Sequence, residues 1–85
     1  MTGAIDRWSE TPYYEQLAAL VAAQIRAGDL EPGQFLPSER HLMDTYSLSR
    51  ATVRKALEVL AARGWVETHR RRGSRVRPRE DWPEG

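Results

Sequence analysis

SRATVRKALEVLAARG, residues 49–64, is the stretch that decides the fold of this 85-residue chain. Its apolar residues recur at the i, i+3, i+4 and i+7 spacing of one buried helix face: Val53, Ala56, Leu57 and Leu60. Ser49 stands where a helix N-cap is expected, and Gly64 supplies a stop signal at the other end. The stretch therefore predicts a helix with a polar outer face.

A second, shorter helix is predicted just before this one. Ser38 can cap it, and Glu39 suits the positive end of its dipole. Its inward face would comprise Leu42, Met43 and Tyr46. About three residues then separate the two helices. This is the spacing of a helix-turn-helix, in which the second helix is free to enter a major groove.

Another helix is predicted over residues 12–27, with Thr11 as its N-cap and Gly28 as its stop signal. Residues 31–34, EPGQ, are typical of a turn, because proline and glycine occupy its two central places. Residues 35–36 are expected to form a short extended piece, since the proline that follows disfavours helix before it.

The C-terminal part of the chain predicts a β-hairpin. Two strand-like pieces, residues 65–68 and 74–77, flank the tip HRRRG at residues 69–73. The predicted fold class is therefore α+β: a winged helix-turn-helix with three helices, a short strand and a C-terminal β-hairpin wing.

Length and composition fit one small domain. We expect it to span residues 11–78, between a flexible N-terminus (1–10) and a flexible tail (79–85). Cysteine is absent and the single histidines His41 and His69 lack partners at metal-ligand spacing, so we predict no metal site. No nucleophile motif or phosphate loop is present, which predicts no enzyme and no cofactor. No stretch approaches the ~20 apolar residues of a membrane span, and a cytoplasmic, nucleoid-associated protein is expected.

The net charge of +1 hides a strong segregation of charge. Residues 1–39 contain six acids and two bases, whereas residues 40–79 contain eleven bases and three acids. Twelve of the thirteen bases are arginine, whose flat guanidinium can grip phosphates and guanine edges in two places. The pattern indicates a polyanionic partner; the alternative is that arginine reflects only a GC-rich genome.

Two arginine clusters carry this charge. Arg50 and Arg54 lie outward near the start of the third predicted helix, where free N–H groups attract phosphate and arginine can reach guanine O6 and N7. Arg70, Arg71 and Arg72 at the hairpin tip repel one another, so an anion explains their clustering. The alternative is that these side chains merely solvate exposed surfaces. For DNA binding, both clusters must face one side, free of carboxylates of their own chain.

Three motifs, LPSER at 36–40, LSRATVRKALEVLAARGWV at 48–66 and RRGSRV at 71–76, together resemble the DNA-binding domain of the GntR regulators. The opening PYYEQLAALVAAQIRAGDLEPG from Pro12 is similar to that family's first helix and turn, so the resemblance covers residues 12–77. It implies a domain that binds double-stranded DNA with its third helix in the major groove and its wing at the adjacent groove.

The resemblance also implies which side chains touch DNA. They belong to the second helix, the start of the third helix and the wing tip: Arg40; Ser49, Arg50, Ala51, Thr52 and Arg54; Arg70, Arg71 and Arg72. Ser47 replaces the family's usual glycine between the helices, where a left-handed residue would cost ~1–2 kcal/mol. Arg71 replaces a common wing-tip glycine, so the wing either turns less tightly or offers the groove an extra arginine.

The predicted function is that of a sequence-specific DNA-binding transcription regulator, a repressor that binds a palindromic operator as a homodimer, at least on DNA. Such regulators usually carry a C-terminal effector domain, so this chain is either a DNA-binding portion or a naturally short protein, with no effector site of its own and no membrane partner. The alternative is a winged-helix protein-interaction module without specific DNA binding. Single-stranded nucleic acid is disfavoured, because residues 69–79 lack interleaved aromatic side chains.

Overall fold

The computed structural model describes residues 4–83. Three helices precede a two-stranded hairpin and a short 3-10 turn: α1 (Tyr13–Ala27), α2 (Glu39–Tyr46), α3 (Arg50–Ala62), β1 (Val66–His69), β2 (Gly73–Val76) and the turn Arg79–Asp81. The strands pair antiparallel, with Val66 opposite Val76 and His69 opposite Gly73. The predicted α+β winged helix is confirmed. None of the helices in this part of the chain is long and apolar enough to cross a membrane.

Helix α1 begins one residue later than predicted. Pro12, not Thr11, is its N-cap residue, and Pro12 has no side chain that could bond a free N–H group. The prediction that Thr11 caps the helix is therefore wrong. Gly28 ends the helix in a left-handed conformation with φ of 91°, as the stop signal predicted.

The core lies where α1 and α3 pack on the hairpin. The buried side chains of α1 include Leu17, Val21 and Ile25, and those of α3 include Val53 and Leu60. Trp65, Val66 and Val76 close the core from the hairpin side. Leu57, expected to face inward, is only half-buried, because it lies at the edge of an open concavity beside the wing.

The connection between α1 and α2 ties the wing to the helices. The N–H of Gln34 donates to the carbonyl of Glu31 at 3.0 Å, which confirms the predicted turn. The predicted short strand is reduced to a single bridge between Phe35 and Arg75. The N–H of Leu36 also donates to the carbonyl of Ser74 at 2.8 Å, so this connection is bonded to β2 of the wing.

The link between α2 and α3 is as short as predicted. Ser38 caps α2 by accepting a hydrogen bond from the N–H of His41 at 3.0 Å. Ser47 ends α2 in a left-handed conformation, with φ of 56° and ψ of 52°. The side chain of Leu48 then enters the core. A non-glycine residue thus adopts the backbone conformation that favours glycine at this turn.

Both ends of the described chain make side-chain contacts with the rest of the domain. The N–H of Asp6 donates to Gln16 Oε1 at 2.7 Å, which binds the N-terminal segment to α1. At the other end, the Trp82 ring lies 5.6 Å from the Trp65 ring, and Trp82 Nε1 donates to the carbonyl of Arg77 at 2.8 Å. Isolated side chains make these contacts, so no sequence periodicity marks them. The outermost residues, 1–3 and 84–85, lie outside the described range.

Candidate nucleic-acid interface

The first turn of α3 is fixed by its own side chains. Ser49 Oγ accepts a hydrogen bond from the N–H of Thr52 at 3.1 Å and donates to Thr52 Oγ1 at 3.0 Å. The Ser49 hydroxyl therefore caps the helix rather than pointing a free donor outward. Ala51 lies between them and is exposed, as predicted.

Arg50 and Arg54 both lie on the exposed face of α3, one helical turn apart. A single carboxylate joins them. Glu39, in the first turn of α2, accepts from Arg50 Nη1 through one oxygen and from Arg54 Nε through the other, each at 3.0 Å. The requirement that both arginines be free of their own chain's carboxylates is thus not met. The sequence pattern places Glu39 only at the helix dipole and gives no signal of this contact.

This ion pair does not remove the arginines from use. Their side chains are 48% and 60% exposed, and exposed pairs contribute only about 0–1 kcal/mol. Arg54 uses its Nε alone in the pair, which leaves its four Nη N–H donors outside it. The carboxylate therefore orients the two guanidinium groups but leaves most of their N–H donors available for another partner.

Arg40 lies on α2, directly after Glu39. Its Nε is 3.6 Å from Asp44 Oδ2, and both side chains are 72% exposed. A pair this long and this exposed holds Arg40 weakly. The guanidinium of Arg40 is therefore available to another anion.

The wing tip carries the second arginine cluster. Arg70, Arg71 and Arg72 are all exposed, and none of them pairs with a carboxylate among residues 4–83. The N–H of Arg72 donates to the carbonyl of His69 at 3.0 Å, which closes the tip. Arg71 is left-handed, with φ of 71°. The wing is thus tightly turned, with an arginine in the glycine-like conformation. The looser turn that the sequence left open as one alternative is not formed.

Arg54 of the first cluster and the whole second cluster line one concavity of about 640 Å³, whereas Arg50 lies outside its lining. Its walls include Arg40 and Arg54 from the helices and all three tip arginines. Arg54 and the three tip arginines thus lie on one side of the molecule, as the expected placement of the clusters requires. Glu39 and Glu58 also line the concavity, so its charge is mixed but predominantly positive.

His69 packs at the start of the wing tip and contacts two neighbouring side chains. Its Nε2 lies 2.7 Å from Glu67 Oε2, and its ring packs edge-on to Phe35 at 5.6 Å. The hydrogen bond from His69 lowers the pKa of Glu67 below its ordinary value. His69 is half-buried in the hairpin, whereas His41 is exposed. Within residues 4–83 no group of acidic or histidine side chains is arranged to hold a metal ion.

The sequence and the fold of this chain both match known proteins. The model of the bacterial regulatory proteins of the gntR family matches residues 13–76. This chain belongs to the GntR family. The match contains α1, α2, α3 and both strands of the wing.

Two relatives illustrate the similarity in sequence. The chain is 38% identical over 72 residues to the HTH-type transcriptional repressor NagR of Bacillus subtilis, a match that covers 85% of this chain and 30% of NagR. It is 41% identical over 66 residues to the HTH-type transcriptional regulator GgaR of Escherichia coli K12, covering 78% of this chain and 27% of GgaR. The chain thus spans less than a third of these curated relatives.

Solved structures extend the similarity to three dimensions. YtrA from Sulfolobus acidocaldarius, a GntR-family transcription factor, superposes with a TM-score of 0.81 at 35% identity, over 87% of this chain and 78% of YtrA. AraR(DBD), solved in complex with operator ORE1, has a TM-score of 0.77 at 29% identity, over 89% of this chain and 93% of that one. The GntR winged helix is therefore the fold of this chain.

Proposed function

We propose that this GntR-family chain is the DNA-reading part of a transcription regulator and binds double-stranded DNA in a sequence-specific manner. The observation that carries the proposal is the single concavity into which α2, α3 and the wing all contribute arginines. A polyanion of regular shape is the partner that such an array fits. The similarity to AraR(DBD), which was solved bound to an operator, supports the same conclusion.

In this proposal α3 enters the major groove. Arg50 and Arg54 read base edges, because a guanidinium matches O6 and N7 of guanine in a bidentate arrangement. Ala51 is exposed beside them and offers a methyl group to thymine. Ser49 and Thr52 act mainly by capping α3, which presents its first N–H groups to a phosphate.

Arg40 and the wing tip hold the DNA backbone. Arg40 lies on α2, which would cross the backbone beside the groove. Arg70, Arg71 and Arg72 extend to the neighbouring minor groove, whose negative potential attracts arginine where it is narrow. These contacts add affinity to every sequence, whereas Arg50 and Arg54 supply the choice among sequences.

The regulator is proposed to act as a repressor on a palindromic operator, as a homodimer at least when bound to DNA. NagR, at 38% identity, is named a transcriptional repressor. Two-fold symmetric operators follow from two-fold symmetric helix-turn-helix dimers. Such a protein works at the nucleoid in the cytoplasm and carries out no catalysis.

Binding to duplex DNA in a salt series tests the proposal. The wild-type chain should bind random duplex DNA at low salt, and selection from a random duplex library should yield a palindromic site bound more tightly. Replacing all three tip arginines by alanine should flatten the plot of log affinity against log salt by about 0.9 for each phosphate that is no longer neutralised. Arg63→Ala is the matched control, because Arg63 is half-exposed at the far end of α3. Absence of binding at low salt would favour a protein-interaction module instead.

A further inference from the structure

The N-terminal segment reaches the helix-turn-helix through one side chain. Arg7 Nη2 donates to the carbonyl of Tyr46 at 2.6 Å and lies 3.3 Å from the carbonyl of Ser47. The two ends of this contact are about forty residues apart in sequence. Arg7 thus clamps the end of α2 to the segment that precedes α1.

The contact lies at the end of α2, at a turn that contains a left-handed non-glycine residue. Tyr46 is the last residue of α2, where carbonyl groups have no partner within the helix and where the helix dipole is negative. A guanidinium there satisfies both the hydrogen-bonding and the electrostatic requirement. Ser47 is also held left-handed, at φ of 56°, in a conformation that a serine adopts at a cost. The Arg7 contact therefore stabilises a strained turn.

Arg7 is itself held in place. Asp6 and Gln16 exchange two hydrogen bonds, from the Asp6 N–H to Gln16 Oε1 at 2.7 Å and from Gln16 Nε2 to the Asp6 carbonyl at 3.0 Å. The Arg7 guanidinium also lies over the Tyr13 ring, 4.9 Å from its centroid. The segment before α1 is thus bonded to the first turns of α1, and Arg7 extends from this segment to the end of α2.

We infer that Arg7 is a positioning residue for DNA reading, which sets the direction of α3 without touching DNA. Only Leu48 separates the clamped Ser47 from Ser49, the N-cap of α3, and Arg50 follows directly. A change of backbone conformation at Ser47 would therefore rotate the start of α3 and displace Arg50. The inference rests on the proposed function for its effect on DNA, whereas the clamp itself is independent of DNA.

A melting experiment tests the clamp alone. If Arg7 holds Ser47 left-handed, the backbone of Ser47 relaxes in Arg7→Ala. A glycine at position 47 then has less strain to relieve in that background than in the wild-type chain. Ser47→Gly should raise the Tm of the wild-type chain by about 5 °C but raise the Tm of Arg7→Ala by less than half as much. Equal increments in the two backgrounds would overturn the clamp.

Binding to the selected duplex tests the consequence, at a temperature where circular dichroism confirms that each variant is folded. Arg7→Ala should weaken binding about tenfold, the size of one hydrogen bond to a charged group, without changing the salt slope. Adding Ser47→Gly should restore most of the affinity, because glycine holds the turn without strain. Arg63→Ala removes the same charge elsewhere and should leave affinity nearly unchanged.

Three results would overturn the inference: unchanged affinity in Arg7→Ala, no rescue by Ser47→Gly, or a salt slope flattened by about 0.9, which would make Arg7 a phosphate contact. Failure of the proposed function has a different signature, because the wild-type chain would then bind no duplex at low salt. The melting experiment would still decide whether Arg7 clamps the turn.

Discussion

Glu39 and Arg54 form an ion pair between α2 and α3, in which Arg54 Nε donates to Glu39 Oε2 at 3.0 Å. The other oxygen of the same carboxylate accepts from Arg50. An acid therefore lies at the centre of the proposed DNA-reading surface. In water-exposed surroundings it gives little stability, but it limits the directions in which both guanidinium groups can point.

Glu39→Gln should reduce the discrimination between the selected and random duplexes while raising the affinity for both. Removal of one negative charge beside the phosphates should tighten binding to random duplex by about threefold. Binding to the selected site should improve less, because Arg50 and Arg54 no longer share one orientation. Competition between the selected and a random duplex measures the ratio of the two affinities. Glu58→Gln is the matched control, since Glu58 lines the same concavity; an equal fall in discrimination there would contradict the role of Glu39.

Arg54→Ala should weaken the selected site more than random DNA. A good bidentate base contact contributes about 1–3 kcal/mol of discrimination, and this should disappear from the ratio of the two affinities. Arg40→Ala serves as comparison, because its proposed contact is with the backbone and its removal should weaken both duplexes alike. Equal weakening of both by Arg54→Ala would reassign Arg54 to the phosphates.

Arg71→Gly should separate stability from binding. Arg71 adopts φ of 71°, so glycine should relieve roughly 1 kcal/mol of strain and raise the Tm. The same change removes a tip charge and should flatten the salt slope by about 0.9 if Arg71 contacts a phosphate. Arg71→Ala removes the charge but keeps the strain, and it should flatten the slope without raising the Tm. A Tm that does not rise in Arg71→Gly would mean that the tip is not strained.

Ser47→Gly should stabilise the chain. The left-handed conformation costs a non-glycine residue ~1–2 kcal/mol, of which the greater freedom of glycine in the unfolded chain offsets a part. For a domain of this size, a gain of about 1 kcal/mol raises the Tm by about 4–8 °C. Ser47→Ala, which keeps the strain, should not raise it. An unchanged or lower Tm in Ser47→Gly would contradict the strain at this turn.

Gly64→Ala should destabilise the chain more than Gly28→Ala. Both glycines are left-handed, with φ of 93° and 91°, so both substitutions carry the same conformational cost. A Cβ on Gly64 would also lie 2.9 Å from the carbonyl oxygen of Asp81, whereas nothing lies within 4 Å at Gly28. We expect a further destabilisation of about 1 kcal/mol and a change in tryptophan fluorescence as Trp82 leaves Trp65. Equal destabilisation in chemical denaturation would show that residues 79–82 do not dock there.

The local elements could be predicted because their causes are local. Ser38 and Ser49 cap their helices, and the spacing of Val53, Ala56 and Leu60 places one face of α3 in the core. Backbone hydrogen bonds within a few residues and a 3.6-residue period leave a direct record in the sequence. Leu57 fits the same period but is only half-buried, because the wing leaves a concavity beside it.

The sequence by itself determined the three helices, the hairpin and the presence of two arginine clusters. Only the tertiary structure decided that Arg54 and the three tip arginines line one concavity, that Glu39 pairs with Arg50 and Arg54, and that the segments around Arg7 and Trp82 dock on the domain. These contacts join side chains from 11 to about 40 residues apart, or single residues outside any periodic pattern. Whether such groups meet depends on how α1, α3 and the wing pack in three dimensions, which no local spacing encodes.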